Sequence, residues 1–130
     1  MSYSRRGVLS LALAACVASG IAMAAETTSF APTEFEAAQK AGKPILVDVT
    51  APWCPTCRAQ APILKELTAE PKFKDLQVFT VDFDSQKDAL QLLKAQRQST
   101  LIVFKGATEV GRSVGERDKA SIEALLAKSL

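Results

Sequence analysis

The residues of this chain best suited to chemistry are two cysteines, Cys54 and Cys57, separated by Pro55 and Thr56. A helix is predicted to begin at this point, so the three-residue spacing places both sulfurs on one face, close enough to bond. The Cys54 sulfur would face unpaired backbone N–H groups and the positive end of the helix dipole, which stabilise a thiolate. The pattern therefore predicts Cys54 as the nucleophile, Cys57 as the resolving thiol and Pro55 as the first helical residue.

Two other uses of the cysteine pair are a permanent structural disulfide and half of a zinc site. A bridge closing so short a loop would stabilise the fold little. A structural zinc ion normally takes four ligands, whereas the chain has no histidine and only one further cysteine, Cys16. The missing histidine also excludes Ser-His and Cys-His catalysis. Redox use of the two thiols is the favoured interpretation.

Residues 1–25 are typical of an export signal of the twin-arginine type. The pair Arg5-Arg6 precedes an apolar run over residues 8–24, and the small residues that end this run predict cleavage after Ala24 or Ala25. The first acidic residue of the chain follows directly. We therefore expect a mature protein that works outside the cytoplasm, in the periplasm or an equivalent compartment.

Two alternatives for this segment lead to the same compartment. Residues 13–16 match a lipoprotein box, which would make Cys16 a lipidated N-terminus. An uncleaved membrane anchor is the second alternative, because about 18 apolar residues is near the minimum span of a membrane helix. Either form would leave residues 26–130 outside the cytoplasm.

The composition predicts one globular domain over residues 26–130. Of the 130 residues, 48% are apolar, which is enough for a buried core. Once Arg5 and Arg6 are set aside, the basic residues balance the 14 acidic ones. A neutral domain lacks the charge pattern of a protein that binds nucleic acid or anionic lipid. We expect a monomer that needs neither a metal nor another cofactor.

Capping and periodicity signals predict an alternation of helices and strands. The first predicted helix is capped by Thr33 with Glu36 and ends by Gly42, and a strand follows at 45–49. The second helix runs from the cysteine pair to about Ala69 with a kink at Pro62, and a strand at 76–83 and a helix over 86–96 capped by Ser85 come next. A buried strand at 101–104, an antiparallel edge strand at 109–114 and a last helix complete the order; Asp118 caps this helix, which turns Ile122, Leu125 and Leu126 inward. This order predicts an α/β fold with a mixed sheet of about four strands flanked by helices.

The chain resembles the thioredoxin family over most of residues 33–130. The motifs that carry the resemblance are Ile45-Leu46-Val47-Asp48, Ala51-Pro52-Trp53-Cys54-Pro55-Thr56-Cys57, Ala61-Pro62-Ile63-Leu64, Val81-Asp82-Phe83-Asp84, Thr100-Leu101-Ile102-Val103-Phe104-Lys105-Gly106 and Gly115. The resemblance implies a thioredoxin fold and thiol–disulfide exchange with protein substrates. The cysteine motif is similar to that of periplasmic thioredoxins that reduce apocytochrome c. The stretch 35–48 is similar to the C-terminal domain of transmembrane electron-transfer reductases.

The resemblance also implies roles for residues around the cysteine pair. Asp48 matches a buried aspartate that accepts the proton of the second cysteine, and Thr80 stands where thioredoxins often have a lysine near that aspartate. Substrate docking is expected at a surface made by the residues on either side of the sulfurs. Its expected members are Trp53, Pro55, Thr56, Ser99 and Thr100.

Ser99 is a departure from the family pattern. Thioredoxins have a cis-proline immediately before the residue matching Thr100. A cis bond before a non-proline residue costs about 3 kcal/mol, so we expect a trans peptide between Gln98 and Ser99. The substitution brings the substrate-facing edge into question and would leave room for a metal or cluster to approach the sulfurs.

The direction of electron flow follows from what separates the cysteines. Strong oxidants stabilise their reduced form, often with a histidine between the cysteines, and Thr56 cannot do this. We therefore expect a reductant of protein disulfides supplied by an electron donor in the membrane. Three alternatives remain: a disulfide-forming oxidant, a binding module that holds copper or an iron–sulfur cluster on the same cysteines, and a redox-inert chaperone.

Overall fold

The structure is a computed structural model that describes Gly20 and residues 24–130. The predicted export segment therefore lies almost entirely outside the described residues. Within the described residues, five strands and four helices follow one another, with a short 3-10 turn at Pro71–Phe73. Their bounds are β1 Glu26–Ser29, α1 Pro32–Lys40, β2 Pro44–Thr50, α2 Pro55–Thr68, β3 Gln77–Asp82, α3 Lys87–Leu93, β4 Thr100–Lys105, β5 Thr108–Val114 and α4 Lys119–Ala127.

The strands form one mixed sheet in the order β1-β3-β2-β4-β5. Strands β1, β3 and β2 run parallel, and β4 and β5 pair antiparallel at the other side. The predicted α/β class and mixed sheet are confirmed, and β5 is the predicted antiparallel edge strand. The sheet has five strands rather than about four, because residues 26–29, expected to be a polar lead, pair with β3. All four of their side chains are exposed, so no apolar alternation marked the strand.

Strand β2 is nearly all apolar because helices cover both of its faces. Ile45, Val47 and Val49 face one core cluster, which contains buried side chains of α1 and α3. Leu46 faces the other cluster, where α2 and α4 supply the packing. Because side chains alternate along a strand, Asp48 points to the same face as Leu46, beneath α2 and α4.

Two predicted helix starts are wrong. Helix α1 begins at Pro32, with Ala31 at the N-cap and no side-chain capping bond, so Thr33 lies inside the helix. A proline is already well suited to a first helical turn. Helix α3 begins at Lys87 rather than being capped by Ser85, whose N–H instead donates to the Asp82 carboxylate.

The bounds and inward faces of the other helices agree more closely with those predicted from the sequence. Helix α2 ends at Thr68 and contains Pro62, and Asp118 caps α4 by accepting the Ser121 N–H at 2.9 Å. The three apolar side chains expected to face inward from α4 are buried. Helix α3 stops at Leu93, three residues early, because the next residue is left-handed. No helix within the described part of the chain is long and apolar enough to cross a membrane.

Candidate active site

The cysteine pair lies where β2 passes into α2. Cys54 occupies the N-cap position with an extended backbone, and Pro55 fills the first helical position as predicted. The backbone N–H of Cys57 donates to the Cys54 sulfur at 3.1 Å. A donor at this distance, at the positive end of a helix, favours negative charge on the sulfur of Cys54. The two sulfurs are not bonded to each other in the structure, so the redox disulfide stays a prediction.

Both thiols are enclosed by protein. Cys54 is 1% exposed and Cys57 6%, and they pack with Ala51 against the ring of Phe83. Burial raises the pKa of the Cys57 thiol, and its hydrogen bond with Cys54 acts in the same direction. Weaker hydrogen bonds from the Ala51 backbone and the Thr50 side chain lower it. Cys57 therefore holds its proton more tightly than an ordinary cysteine, which suits a thiol that reacts second.

Asp48 is the acidic group on the sheet beneath the cysteine helix. It lies beside Thr80 of β3 and Leu101 of β4, so its neighbours in register are uncharged. Burial raises the pKa of the carboxyl group from 3.8 to about 6, although part of the side chain still reaches solvent. Asp48 is two positions before Thr50 on the same face of β2, and the side chain of Thr50 contacts Cys57. The carboxyl group can therefore exchange protons near neutral pH close to the second thiol.

Thr80 lies beside Asp48 in the sheet, as the family resemblance implied. Its hydroxyl donates to the Thr28 carbonyl of β1 at 3.3 Å. A neutral side chain at this register position leaves burial as the main influence on the Asp48 carboxyl group.

Trp53 is half exposed beside the cysteine pair. Its ring nitrogen donates to the Asp84 carboxylate at 2.8 Å, and its ring meets the Phe83 ring edge-on with 6.4 Å between centroids. The side chain is therefore fixed in direction while one face stays open to a partner. Asp84 was not among the predicted site residues, although it closes one of the quoted family motifs.

The loop before β4 has the predicted trans peptide between Gln98 and Ser99. Ser99 adopts a left-handed backbone with φ of 55°, and its side chain is buried. Thr100 is also buried, and its hydroxyl donates to the Arg97 carbonyl at 2.7 Å. If Ser99 and Thr100 take part in docking, their backbone groups rather than their side chains would therefore contact the substrate. Pro55 is exposed and Thr56 partly exposed, so their surfaces are open beside the sulfurs.

Two further polar side chains brace the site, and neither was predicted to do so. The Arg58 guanidinium donates to the Pro52 carbonyl at 3.0 and 3.3 Å and holds the turn that leads into Cys54. Gln60 is buried on α2 and donates to carbonyl groups of two other segments. The two segments that Gln60 contacts, at Ser99 and Glu116, are distant from it in the sequence, so no local pattern could predict these hydrogen bonds. In residues 24–130 no three potential metal-ligating side chains come together.

The family model for thioredoxin matches residues 26–128. The chain belongs to the thioredoxin family. It is 35% identical over 117 residues to a thioredoxin H-type of Brassica oleracea, covering 90% of this chain and 93% of that protein. A thioredoxin of Alicyclobacillus acidocaldarius is 34% identical over 104 residues, covering 80% of this chain and 98% of the relative.

Solved structures give the same result for the fold. The crystal structure of Trxlp from Edwardsiella tarda superposes with a TM-score of 0.76 at 42% identity, covering 78% of this chain and 98% of that one. Thioredoxins are thiol:disulfide oxidoreductases that act on protein disulfides, and this chain is an enzyme of that class.

Proposed function

We propose that this thioredoxin reduces disulfides of protein substrates outside the cytoplasm, through the Cys54–Cys57 dithiol. The observation that carries the proposal is the asymmetry of the pair. The Cys57 N–H donates to the Cys54 sulfur at 3.1 Å, while burial raises the pKa of the Cys57 thiol. One sulfur is thus prepared to attack as a thiolate and the other to wait as a thiol.

The first step forms a mixed disulfide. The Cys54 thiolate attacks one sulfur of the substrate disulfide, a bond forms between enzyme and substrate, and the second substrate sulfur leaves as a thiolate that takes a proton from water. Because Cys54 is nearly covered, the substrate must approach closely at the surface beside Trp53. We assign docking to Trp53, Pro55 and Thr56, and to the backbone at Ser99 and Thr100.

The second step releases the substrate. Cys57 gives its proton to the Asp48 carboxylate, and the resulting thiolate attacks the Cys54 sulfur. The bond between enzyme and substrate breaks, and the remaining substrate sulfur leaves as a thiolate. Two electrons have then passed to the substrate, and the Cys54–Cys57 disulfide remains on the enzyme. A membrane protein that presents a dithiol would restore the reduced form.

The proposed direction rests on the surroundings of the sulfurs. Thr56 places a neutral hydroxyl between the cysteines, and the chain has no histidine that could stabilise the reduced form strongly. Such a pair favours donation of electrons over disulfide formation. The similarity of the cysteine motif to periplasmic thioredoxins that reduce apocytochrome c supports the same direction and suggests that subtype.

The proposed location rests on the leader. Arg5 and Arg6, the apolar run and the small residues at 22–24 form a signal of the twin-arginine type. Strand β1 starts at Glu26, directly after the proposed cleavage position. We propose a mature monomer, held at the membrane only if Cys16 is lipidated or the leader is retained.

The test is reduction of insulin disulfides with trapping of substrates. The wild-type chain should reduce insulin with dithiothreitol as the electron source, and Cys54→Ser should abolish the activity. Cys57→Ser should accumulate mixed disulfides through Cys54 with proteins of the exported fraction. Activity that survives Cys54→Ser would overturn the mechanism. Bound copper or iron in protein that lacks reductase activity would indicate a metal-binding module instead.

A further inference from the structure

Gln60 is a buried polar residue on the helix that begins at the cysteine pair. It lies three residues after Cys57, so it is one turn further along the same helix, and it is 1% exposed. The later inward positions of α2, Leu64 and Leu67, are leucines that pack in the core. A carboxamide in this row must find hydrogen-bond partners or destabilise the fold.

The carboxamide nitrogen of Gln60 joins α2 to two other segments. It donates to the Glu116 carbonyl at 2.8 Å and to the Ser99 carbonyl at 3.4 Å. The backbone N–H of Gly115 donates to the same Ser99 carbonyl at 3.0 Å. The loop before β4 and the turn after β5 are therefore tied to each other and to the cysteine helix.

Ser99 is the residue that most needs such support. Its backbone is left-handed at φ of 55°, a conformation that side chains other than glycine, asparagine and aspartate seldom adopt. Ser99 and the next residue, Thr100, form the backbone edge that the proposed mechanism presents to substrate. Without the bonds to its carbonyl, the strained backbone would relax and that edge would move.

The other end of the Gln60 side chain indicates that packing alone does not explain it. Its carbonyl oxygen is buried and has no hydrogen-bond partner among the residues that the structure describes. An unpaired buried acceptor is destabilising, and an apolar residue of the same size would avoid the loss. The contacts of the carboxamide with other segments thus run through its nitrogen, which holds the Ser99 loop.

We propose that Gln60 is a positioning residue that fixes the substrate-facing backbone at Ser99 against the cysteine helix, where other thioredoxins have a cis-proline. The inference rests on the proposed function, since it assumes that protein disulfides dock on this edge. It assigns Gln60 an effect on protein substrates, which need the edge, and little effect on small disulfides, which reach Cys54 without it.

The test compares Gln60→Met with Thr68→Val, a polar-to-apolar change near the far end of the same helix. Methionine keeps the length and removes both the donor and the unpaired acceptor. Because a lost hydrogen bond is worth about one factor of ten in binding, Gln60→Met should raise the KM for insulin about tenfold. The kcat for insulin and the rate with the small disulfide dithionitrobenzoate should stay within about twofold of wild type. Thr68→Val should leave the kinetics with both substrates unchanged.

A second measurement follows the loop directly. Hydrogen exchange of the Gly115 amide, whose N–H donates to the Ser99 carbonyl, should speed up in Gln60→Met.

Three results would count against the inference. An unchanged KM for insulin in Gln60→Met, in a chain whose wild type is active, would overturn it and leave the proposed function intact. Equal losses with insulin and with dithionitrobenzoate would reduce Gln60 to a structural residue. A wild-type chain unable to reduce insulin would overturn the proposed function, and this inference with it.

Discussion

Three side chains at the start of α2 and on the strand beneath it divide the proposed chemistry. The Cys54 sulfur accepts a backbone N–H at 3.1 Å, and burial raises the pKa of both the Cys57 thiol and the Asp48 carboxyl group. The two raised pKa values have the same cause but opposite uses. In the proposed mechanism, burial keeps the proton on Cys57 until the mixed disulfide forms, and it makes Asp48 basic enough to take that proton near neutral pH.

Asp48 gives a prediction about stability and pH. Its carboxyl group has a pKa of about 6 in the folded chain against 3.8 for the ordinary group, so the folded state binds the proton more tightly. The contribution of Asp48 to stability should therefore be most favourable below pH about 4, fall as the pH rises to about 6, and stay lower above that. Asp48→Asn removes the loss and should raise the free energy of unfolding by about 3 kcal/mol at pH about 8 and by little at pH about 4. Urea unfolding at the two pH values measures this difference, and an equal gain at both would contradict the assignment.

The same substitution should damage catalysis while it stabilises the fold. An amide cannot accept the Cys57 proton, so resolution of the mixed disulfide should slow by about 100-fold at pH about 7. Attack by Cys54 should keep its rate, because the Cys57 N–H still faces that sulfur. Stopped-flow kinetics with a peptide disulfide separates the two steps. Equal slowing of both would show that Asp48 acts on Cys54 as well.

The predictability of the site residues depended on how local their signals are. Cys54, Cys57 and Pro55 were placed by spacing and helix-start chemistry, and the family motif pointed to Asp48. Gln60 and Asp84 were missed, because they act through partners 31 to 56 residues away. Such contacts form only when the sheet brings distant loops together, and no period or spacing in one segment encodes them.

At the scale of elements, apolar runs predicted the positions of β2, β3 and β4, whereas no sequence pattern predicted β1. A strand buried on both faces is apolar throughout, but β1 is an edge strand whose four side chains are all exposed. Helix starts were predictable where a carboxylate caps the helix, at Asp118. They failed where no side chain caps the helix, at Pro32, and where a preceding turn sets the start, near Asp82.

The β4–β5 turn gives a prediction at this scale. Gly106 has φ of 59°, and a Cβ there would lie 3.3 Å from the Gly42 Cα. Gly42 has φ of 70° and nothing within 4 Å of its own Cβ position. Gly42→Ala should therefore cost only the backbone penalty, about 1 kcal/mol, and Gly106→Ala clearly more. Thermal unfolding of the two variants measures the difference. Equal losses would mean that the turn yields without strain.

For the whole molecule, the fold is a scaffold that holds the cysteine pair, and we propose that it works outside the cytoplasm. The two core clusters fix the sheet between its helices, and the proposed docking residues lie on loops, at the start of α2 or at the start of β4. Composition predicted one domain with equal numbers of basic and acidic residues, and the order of the motifs predicted the family. Neither determines the route of export or the partner, because both depend on recognition by other proteins.

The export proposal can be tested with the twin-arginine pair. Replacing Arg5 and Arg6 by lysine should leave most of the chain in the cytoplasm with its leader attached, since the charge remains but the arginine pair is lost. Cell fractionation with an antibody against the domain measures this. Arg97→Lys with Arg117→Lys is the matched control and should be exported normally. Normal export of the Arg5 and Arg6 variant would refute a twin-arginine route, and Cys16→Ser separately tests lipidation.

The central claim is that Cys54 and Cys57 form a redox couple that donates electrons to protein disulfides. The measurement that tests it most directly is equilibration of the purified domain with glutathione buffers, followed by alkylation and mass analysis of the two thiols. We predict a single two-electron transition with a potential at or below that of the glutathione pool, about −220 mV or lower. A potential near that of the strong oxidants, about −120 mV, would contradict the direction, and the absence of a reversible disulfide would contradict the claim itself.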